Sequence, residues 1–295
     1  MAIMPTKTRA TQTMHPKIEA ILARPRIRQH TPEWYTNRAC LLTASDAASA
    51  LGIGFQSRHQ VFMKKTGQNK KADVMSVACR YGLEQEDNAA RIYTAVTGIA
   101  LVNDDIGLLR HATMPIFGAS PDRLAQQYPI IIEIKSPWRR VIVPGEIPAY
   151  YIPQIQMQME ICDLDICHFV QFVPPTASTK GIMDITEIER DREWWAQNVG
   201  ELEQFWNEVA TFYKECGLPM GTKKAPNGSP THIAATPLPS RCCVVGIDGE
   251  AVDGFFAPDA PAPTIDFDPE NFVVTMQKKS VCNNNNQQSD TKTSP

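Results

Sequence analysis

The sequence predicts an α/β domain over residues 26–216, set between a basic arm (residues 1–25) and a Pro-, Asn- and Gln-rich, largely disordered tail (217–295). Three observations carry this. Capped helical periods alternate with short β-branched runs between residues 26 and 216. The first thirty residues hold six Lys or Arg against Glu19 alone. Nine prolines fall between Pro219 and Pro269, and a polar run with Asn283–Asn286 follows them. Such a composition buries too little apolar surface to offset the entropy of ordering.

The elements follow in order. Thr31-Pro32-Glu33 reads as an N-cap, a proline at the first helical position and an early carboxylate, opening a helix through Arg38. Thr43–Leu51 reads as a short helix ended by Gly52, and Ser57 caps another through Lys65, closed by Gly67. Residues 74–97 carry a long helical pattern that stops at Gly98, with Gly82 as its one point of weakness. Strands are predicted at 100–102, 107–110, 123–126 and 130–135. A helix at 149–162, strands near 167–173 and 182–188, and a helix from Arg190 to Tyr213 complete the domain. The aromatics of that last helix, Trp194, Trp195, Phe205 and Trp206 among them, read as core packing. Within the tail, only Val273-Val274 has the character of a docking strand.

Composition excludes some functions. No apolar run approaches the ~18–20 residues a spanning helix needs. The net charge of −3 argues against a protein that coats nucleic acid by bulk positive charge, although a net charge averages over unlike surfaces. Eight cysteines with no C-x-x-C pair read as free thiols of a reducing, intracellular compartment. The basic N-terminus is read as an arm, with a transit peptide as the alternative.

The most informative segment is Ile130-Ile131-Ile132-Glu133-Ile134-Lys135. Period-two alternation puts Glu133 and Lys135 on one face and Ile132 and Ile134 on the other. An acid-x-Lys triplet is cheap, and an edge strand exposing a solvated ion pair would explain it. Its company raises its weight: Ser120-Pro121-Asp122 stands eleven residues before Glu133, and a hairpin would set Asp122 beside Glu133 and Lys135. Two carboxylates and an ammonium on adjacent strands suit a Mg²⁺-dependent phosphodiesterase, because Mg²⁺ takes carboxylate and water oxygens and acidifies bound water. Lys135 would then orient that water or assist its deprotonation, its own pKa lowered by burial.

Pro121-Asp122, ten residues and Glu133-Ile134-Lys135 resembles the PD-(D/E)-x-K nuclease signature. From about Thr31 to Tyr213 the chain resembles the bacteriophage lambda exonuclease and YqaJ-like viral recombinase family. Trp34, Arg38 and Leu42-Thr43-Ala44-Ser45 resemble its W-x-x-x-R and T-A-S block; Gly82 to Glu86, with Ala90 and Tyr93, resembles its acidic helix. Tyr150-Tyr151-Ile152-Pro153-Gln154-Ile155-Gln156 resembles its Y-x-x-Q-x-Q helix. The resemblance implies a restriction-endonuclease-like core, a central mixed sheet flanked by helices.

It also implies roles. Asp122 and Glu133, the Ile134 carbonyl and Glu86 would hold Mg²⁺, with Mn²⁺ as a substitute and two ions per site. Lys135 would be the catalytic lysine. Gln156 would be the helical glutamine near the scissile phosphate, with Gln154 as the fallback. Gln154, Gln156 and Gln158 cannot all share a helix face, so one or two of them point inward. Arg38, Ser45 and Ser120 would hold a terminal 5′-phosphate, helped by amides at the start of the helix opened by Thr43. Arg58, His59, Lys64, Lys65, Lys70 and Lys71, within fourteen residues, would track DNA phosphates, unless they are a solvated helix face.

The implied activity is Mg²⁺-dependent 5′→3′ hydrolysis of linear double-stranded DNA, leaving 3′ overhangs for recombination. The implied partners are duplex ends, a single-strand annealing protein and further copies of the chain in a ring trimer, with no membrane. The compartment would be the cytoplasm for a phage or bacterial protein, and the host nucleus or cytoplasm for a eukaryotic virus. Alternatives are an endonuclease, a RecB-like nuclease with an iron–sulfur cluster, or a silent DNA-end binder that recruits partners through the tail. The cysteines lack the close C-terminal spacing of a cluster, and the acids and lysine of an active site are all present. One position departs from the family: Arg123 replaces the usual glycine after Pro-Asp. Either that residue is strained at positive φ, or the strand simply starts earlier and Arg123 contacts the phosphate backbone.

Overall fold

The computed structural model describes residues 13–69, 75–224, 230–232 and 264–279. Its centre is a five-stranded mixed sheet in the order β10-β7-β6-β5-β4, formed by Arg123–Leu124 (β4), Ile130–Lys135 (β5), Ile166–Val173 (β6), Gly181–Glu189 (β7) and Phe272–Lys279 (β10). β4 runs antiparallel to β5, β5 parallel to β6, β6 antiparallel to β7, and β7 parallel to β10. A three-stranded sheet of Leu42–Thr43 (β1), Phe117–Ala119 (β3) and Leu109–Arg110 (β2) lies apart from it. The mixed sheet with flanking helices is the fold class that the sequence predicts.

The helices are Pro16–Leu22 (α1), Pro32–Ala39 (α2), Ala44–Ala50 (α3), Arg58–Lys65 (α4), Val77–Thr97 (α5), Ile152–Cys162 (α6) and Arg192–Glu215 (α7). Caps set their bounds. The Thr31 side chain accepts from the Trp34 amide, Ser57 and Gln60 form a reciprocal capping box, and Asp191 caps α7. α5 passes Gly82 without a break and ends on Gly98 at φ +72°. A Cβ at Gly82 would meet only the Ser136 carbonyl, at 3.9 Å, so glycine is tolerated there rather than required.

α5 covers one face of the sheet, where Ala89, Ile92 and Tyr93 pack on Ile132, Ile134 and Val170. α3, α6 and α7 cover the other, with Ile155, Met159, Leu202 and Phe205 on Ile131, Cys167 and Phe169. β5 is thus an interior strand, not an edge, and its charged residues face α6.

Both flanks contribute more structure than expected. Residues 16–22 of the basic arm form α1, whose apolar stripe buries Ile18 and Ile21 in the main core. Within the tail, β8 (Thr222–Lys224) pairs with β9 (Pro230–His232), and β10 extends the central sheet for eight residues around Val273-Val274. The Phe272 ring stacks on Phe172 at 6.2 Å over Gly181, where any Cβ would stand 2.5 Å from the ring. Thr275 donates to the buried Asp184, and Lys278 pairs with Glu187 at 3.0 Å and Glu189 at 2.8 Å. Phe272→Ala is expected to cost about 3 kcal/mol, read as a shift in the midpoint of urea unfolding.

Candidate active site

β4 and β5 form the predicted hairpin, with Arg123 opposite Ile132 and Leu124 opposite Ile131. Asp122, one residue before β4, therefore meets β5 at its charged end. Its Oδ2 accepts from the Ile134 amide at 2.7 Å. Glu133 is fully buried and takes three donors: the Lys135 ammonium and Gln154 amide on Oε1, and the Gln158 amide on Oε2 at 2.8 Å. The Lys135 Nζ also lies 5.6 Å from the centre of the Tyr151 ring.

Gln154 and Gln158 stand at i and i+4, one face of α6, and both reach Glu133. Gln156 points the opposite way: its Nε2 donates to the Glu189 carbonyl at 3.1 Å and its Oε1 accepts from the Asp191 amide at 2.7 Å. The role assigned to Gln156 from the sequence is therefore corrected. It ties α6 to the start of α7, and Gln154 and Gln158 are the glutamines at the site.

Burial first, and then the Asp122 charge, raise the Glu133 carboxyl to about 7 against the opposing pull of Lys135 and Gln158. The same two causes raise Glu86 to about 7 against Arg123. Burial works against the Lys135 ammonium, yet Glu133 and Asp122 outweigh it and hold its pKa above the usual lysine value. This runs against the expectation of a lysine depressed by burial: beside Glu133 and Asp122 the ammonium form is favoured.

Glu86 lies on α5, and its partner is Arg123, whose Nη1 reaches Oε1 at 2.5 Å while Nη2 reaches Asp87 Oδ1 at 2.6 Å. Of the alternatives foreseen for Arg123, the strained one fails, because the residue is not at positive φ; Arg123 opens β4, and its guanidinium rests on the Glu86 and Asp87 carboxylates.

A second cluster adjoins the first. Arg38 stacks on Trp34 at 4.3 Å, one helical turn away on α2, and its Nη2 donates to Ser45 Oγ at 2.9 Å. Trp34 Nε1 donates to Ser120 Oγ at 3.0 Å. Arg38, Ser45 and Ser120 are thus gathered around one indole. Thr43 makes no side-chain cap; its hydroxyl donates to Asp46 at 2.7 Å. Because Ser120 and Asp122 are two residues apart, at most about 7 Å of chain separates this cluster from the carboxylates.

Among the described residues of the basic run, two are engaged within the fold. Lys65 is buried one turn from Val61, donates to the Arg38 and Leu41 carbonyls and pairs with Asp46 at 2.8 Å. Arg58 makes a two-pronged pair with Glu208 of α7 at 2.6 and 2.9 Å. Lys64, 3.3 Å from Asp46, and His59 keep exposed side chains, and Lys70 and Lys71 lie outside the described residues.

Among the described residues no three His, Cys, Asp or Glu side chains converge on one point to hold an ion by themselves. The donors that do stand together are hard oxygens on Asp122 and Glu133. The buried Gln158 Oε1 beside them has no partner, a further acceptor for water at an ion. That set fits a hard divalent cation with a largely aqueous shell.

The fold is similar to that of solved alkaline exonucleases. It matches LHK-Exo, an alkaline exonuclease from Laribacter hongkongensis, at a TM-score of 0.53 and 26% identity over 63% of this chain and 96% of that one. LHK-Exo in complex with dAMP matches at a TM-score of 0.52 and 27% identity, over 63% and 98%. Residues 33–165, which hold both clusters, match the model of the YqaJ-like viral recombinase domain family. Similar sequences include a protein of African swine fever virus, 23% identical over 43% of this chain and 44% of its own length. Another, from Acanthamoeba polyphaga mimivirus, is 26% identical over 52% and 31%. The chain thus spans less than half the length of these viral relatives. No helix among the described residues is long and apolar enough to cross a membrane.

Proposed function

We propose that this chain is a divalent-metal-dependent exonuclease that degrades linear double-stranded DNA from its 5′ ends, leaving 3′ single strands for recombination. One observation carries the reading: an Arg-Ser-Ser cluster suited to a terminal phosphate lies two residues along the chain from Asp122, beside Glu133 and Lys135. A terminal-phosphate site so close along the chain would favour cleavage next to the terminus over cleavage within a strand.

Asp122 and Glu133, with the Ile134 carbonyl, would hold Mg²⁺ or Mn²⁺. Such an ion would neutralise phosphate charge and acidify the attacking water. The residues of the chain supply the rest. The Ile134 amide fixes Asp122, and Gln154 and Gln158 fix Glu133 from α6. The Lys135 ammonium orients the water and stabilises charge on the phosphoryl oxygens. The Arg38 guanidinium offers a planar fork to the terminal phosphate, already stacked and aimed by Trp34.

The test compares 5′-phosphorylated linear duplex, 5′-hydroxyl duplex and closed circular duplex. The phosphorylated ends are expected to be degraded fastest and the circle not at all. Equal cleavage of all three sinks the reading.

The raised carboxyls give a pH signature. Between about pH 4.5 and 7 the folded chain holds protons on Glu86 and Glu133 that the unfolded chain releases, so their contribution to stability falls as pH rises through about 7. Ion binding needs the deprotonated form and offsets that loss. The rise in Tm produced by 5 mM Mg²⁺ is therefore expected to be larger at pH 8 than at pH 6. An equal rise at both pH values contradicts the assignment.

A further inference from the structure

The turn between α3 and α4 carries an aromatic that the fold does not need. Phe55 is 79% exposed, and apolar area left in water contributes little to stability. The tip that presents it is nevertheless held closely. A Cβ on Gly54 would stand 2.6 Å from the Ser49 amide nitrogen, so only glycine lets the chain turn back on α3 at that point.

Phe55 is the outermost of three rings that lead down to the site. Its centre lies 4.1 Å from that of Tyr150, and Tyr150 lies 4.5 Å from Tyr151. The Lys135 ammonium stands 5.6 Å from the centre of Tyr151. Tyr151 packs in turn on the buried Phe169, at 5.3 Å, which fixes the innermost ring. Both tyrosines belong to the turn Ala149–Tyr151 that leads into α6, where Gln154 bonds Glu133. The Arg38–Ser45 cluster sits at the start of α3 and the Phe55 turn beyond its end, with about 7.5 Å of helix from Ser45 to Ala50. The rings are therefore continuous with Lys135 on one side and joined through α3 to the phosphate cluster on the other.

We propose that Phe55 and Tyr150 form a stacking subsite for the base of the terminal 5′ nucleotide, the nucleotide that lies between the phosphate held by Arg38 and the phosphate cleaved beside Lys135. The inference rests on the nuclease reading above and adds where the first base goes. A base drawn out of the end of a duplex gives up its stacking and pairing there. An aromatic side chain returns the stacking without reading the sequence, because every base has a π-face, so the subsite takes any of the four bases.

The test measures kcat/KM, with Mg²⁺ present, on 5′-phosphorylated linear duplexes whose terminal 5′ nucleotide either carries its base or is a tetrahydrofuran abasic analogue. The preference for the intact end over the abasic one is expected to fall about tenfold from wild type to Phe55→Ala, and to survive in Phe55→Trp, which restores a π-face. The Tm of Phe55→Ala is expected to match that of the wild type, because the ring is exposed. An unchanged preference in Phe55→Ala overturns the proposal; if the mass of that variant in solution then differs from the wild type's, the ring belongs to a contact between copies of the chain. A wild type that degrades neither end contradicts the nuclease reading itself.

Discussion

Lys135→Ala is expected to slow hydrolysis of 5′-phosphorylated duplex by about 10²–10⁴-fold, the range for losing a group that positions or transfers a proton. Ion binding is expected to survive. The ammonium sits on Glu133 Oε1, in bonding contact with a carboxylate proposed as a metal ligand, and removing it takes a positive charge away from where the ion would bind. Mn²⁺ affinity should therefore hold or rise as turnover collapses. Single-turnover rates at saturating Mg²⁺, paired with a Mn²⁺ titration, separate the two effects. A variant within tenfold of the wild-type rate removes Lys135 from the mechanism.

Asp46→Asn is expected to lower stability by about 3–5 kcal/mol, because it strips a buried ion-pair network of its only anion among the described residues. Asp46 is 5% exposed and accepts from Thr43 at 2.7 Å, with Lys65 at 2.8 Å and Lys64 at 3.3 Å. Burial disfavours its charge, but Lys64, Lys65 and Arg38 together hold the carboxyl well below the usual range. A depressed carboxyl contributes stability that is present above the unfolded value of about 3.9 and lost as pH falls through the folded one. The gap between wild type and variant should thus persist at pH 5 and close only in stronger acid. For a domain of this size the loss corresponds to a fall in Tm of roughly 6–20 °C, measurable by calorimetry. The same network fixes the Arg38 carbonyl through Lys65, so loss of order around the phosphate cluster should accompany it.

Much of the site was legible in short-range pattern. Strand alternation put Glu133 and Lys135 on one face, and the hairpin that pairs Arg123 with Ile132 brings Asp122 to them. Trp34 and Arg38, four apart, stack because a helix turn makes them neighbours. What stayed hidden depends on distant partners. Arg58 reads as a free cation until Glu208, far along the chain on α7, claims it. Gln156 and Gln154 are interchangeable in a Q-x-Q motif; which one faces β5 depends on the azimuth of α6, fixed by its docking on the sheet. β1 and β3, of two or three residues, are too short to show a period. β10 was visible only as a Val-Val pair, and its stability comes from pairing along β7 rather than from its own composition.

The account stands or falls on Asp122 as the carboxylate that couples ion and phosphate. The direct measurement is single-turnover release of nucleotide from the 5′ end of a phosphorylated duplex, with Mg²⁺ present, by wild type and by Asp122→Asn of equal Tm. The account predicts release by the wild type that EDTA abolishes, and none above the EDTA background by Asp122→Asn. Release by Asp122→Asn at the wild-type rate, or by the wild type in EDTA, would contradict it.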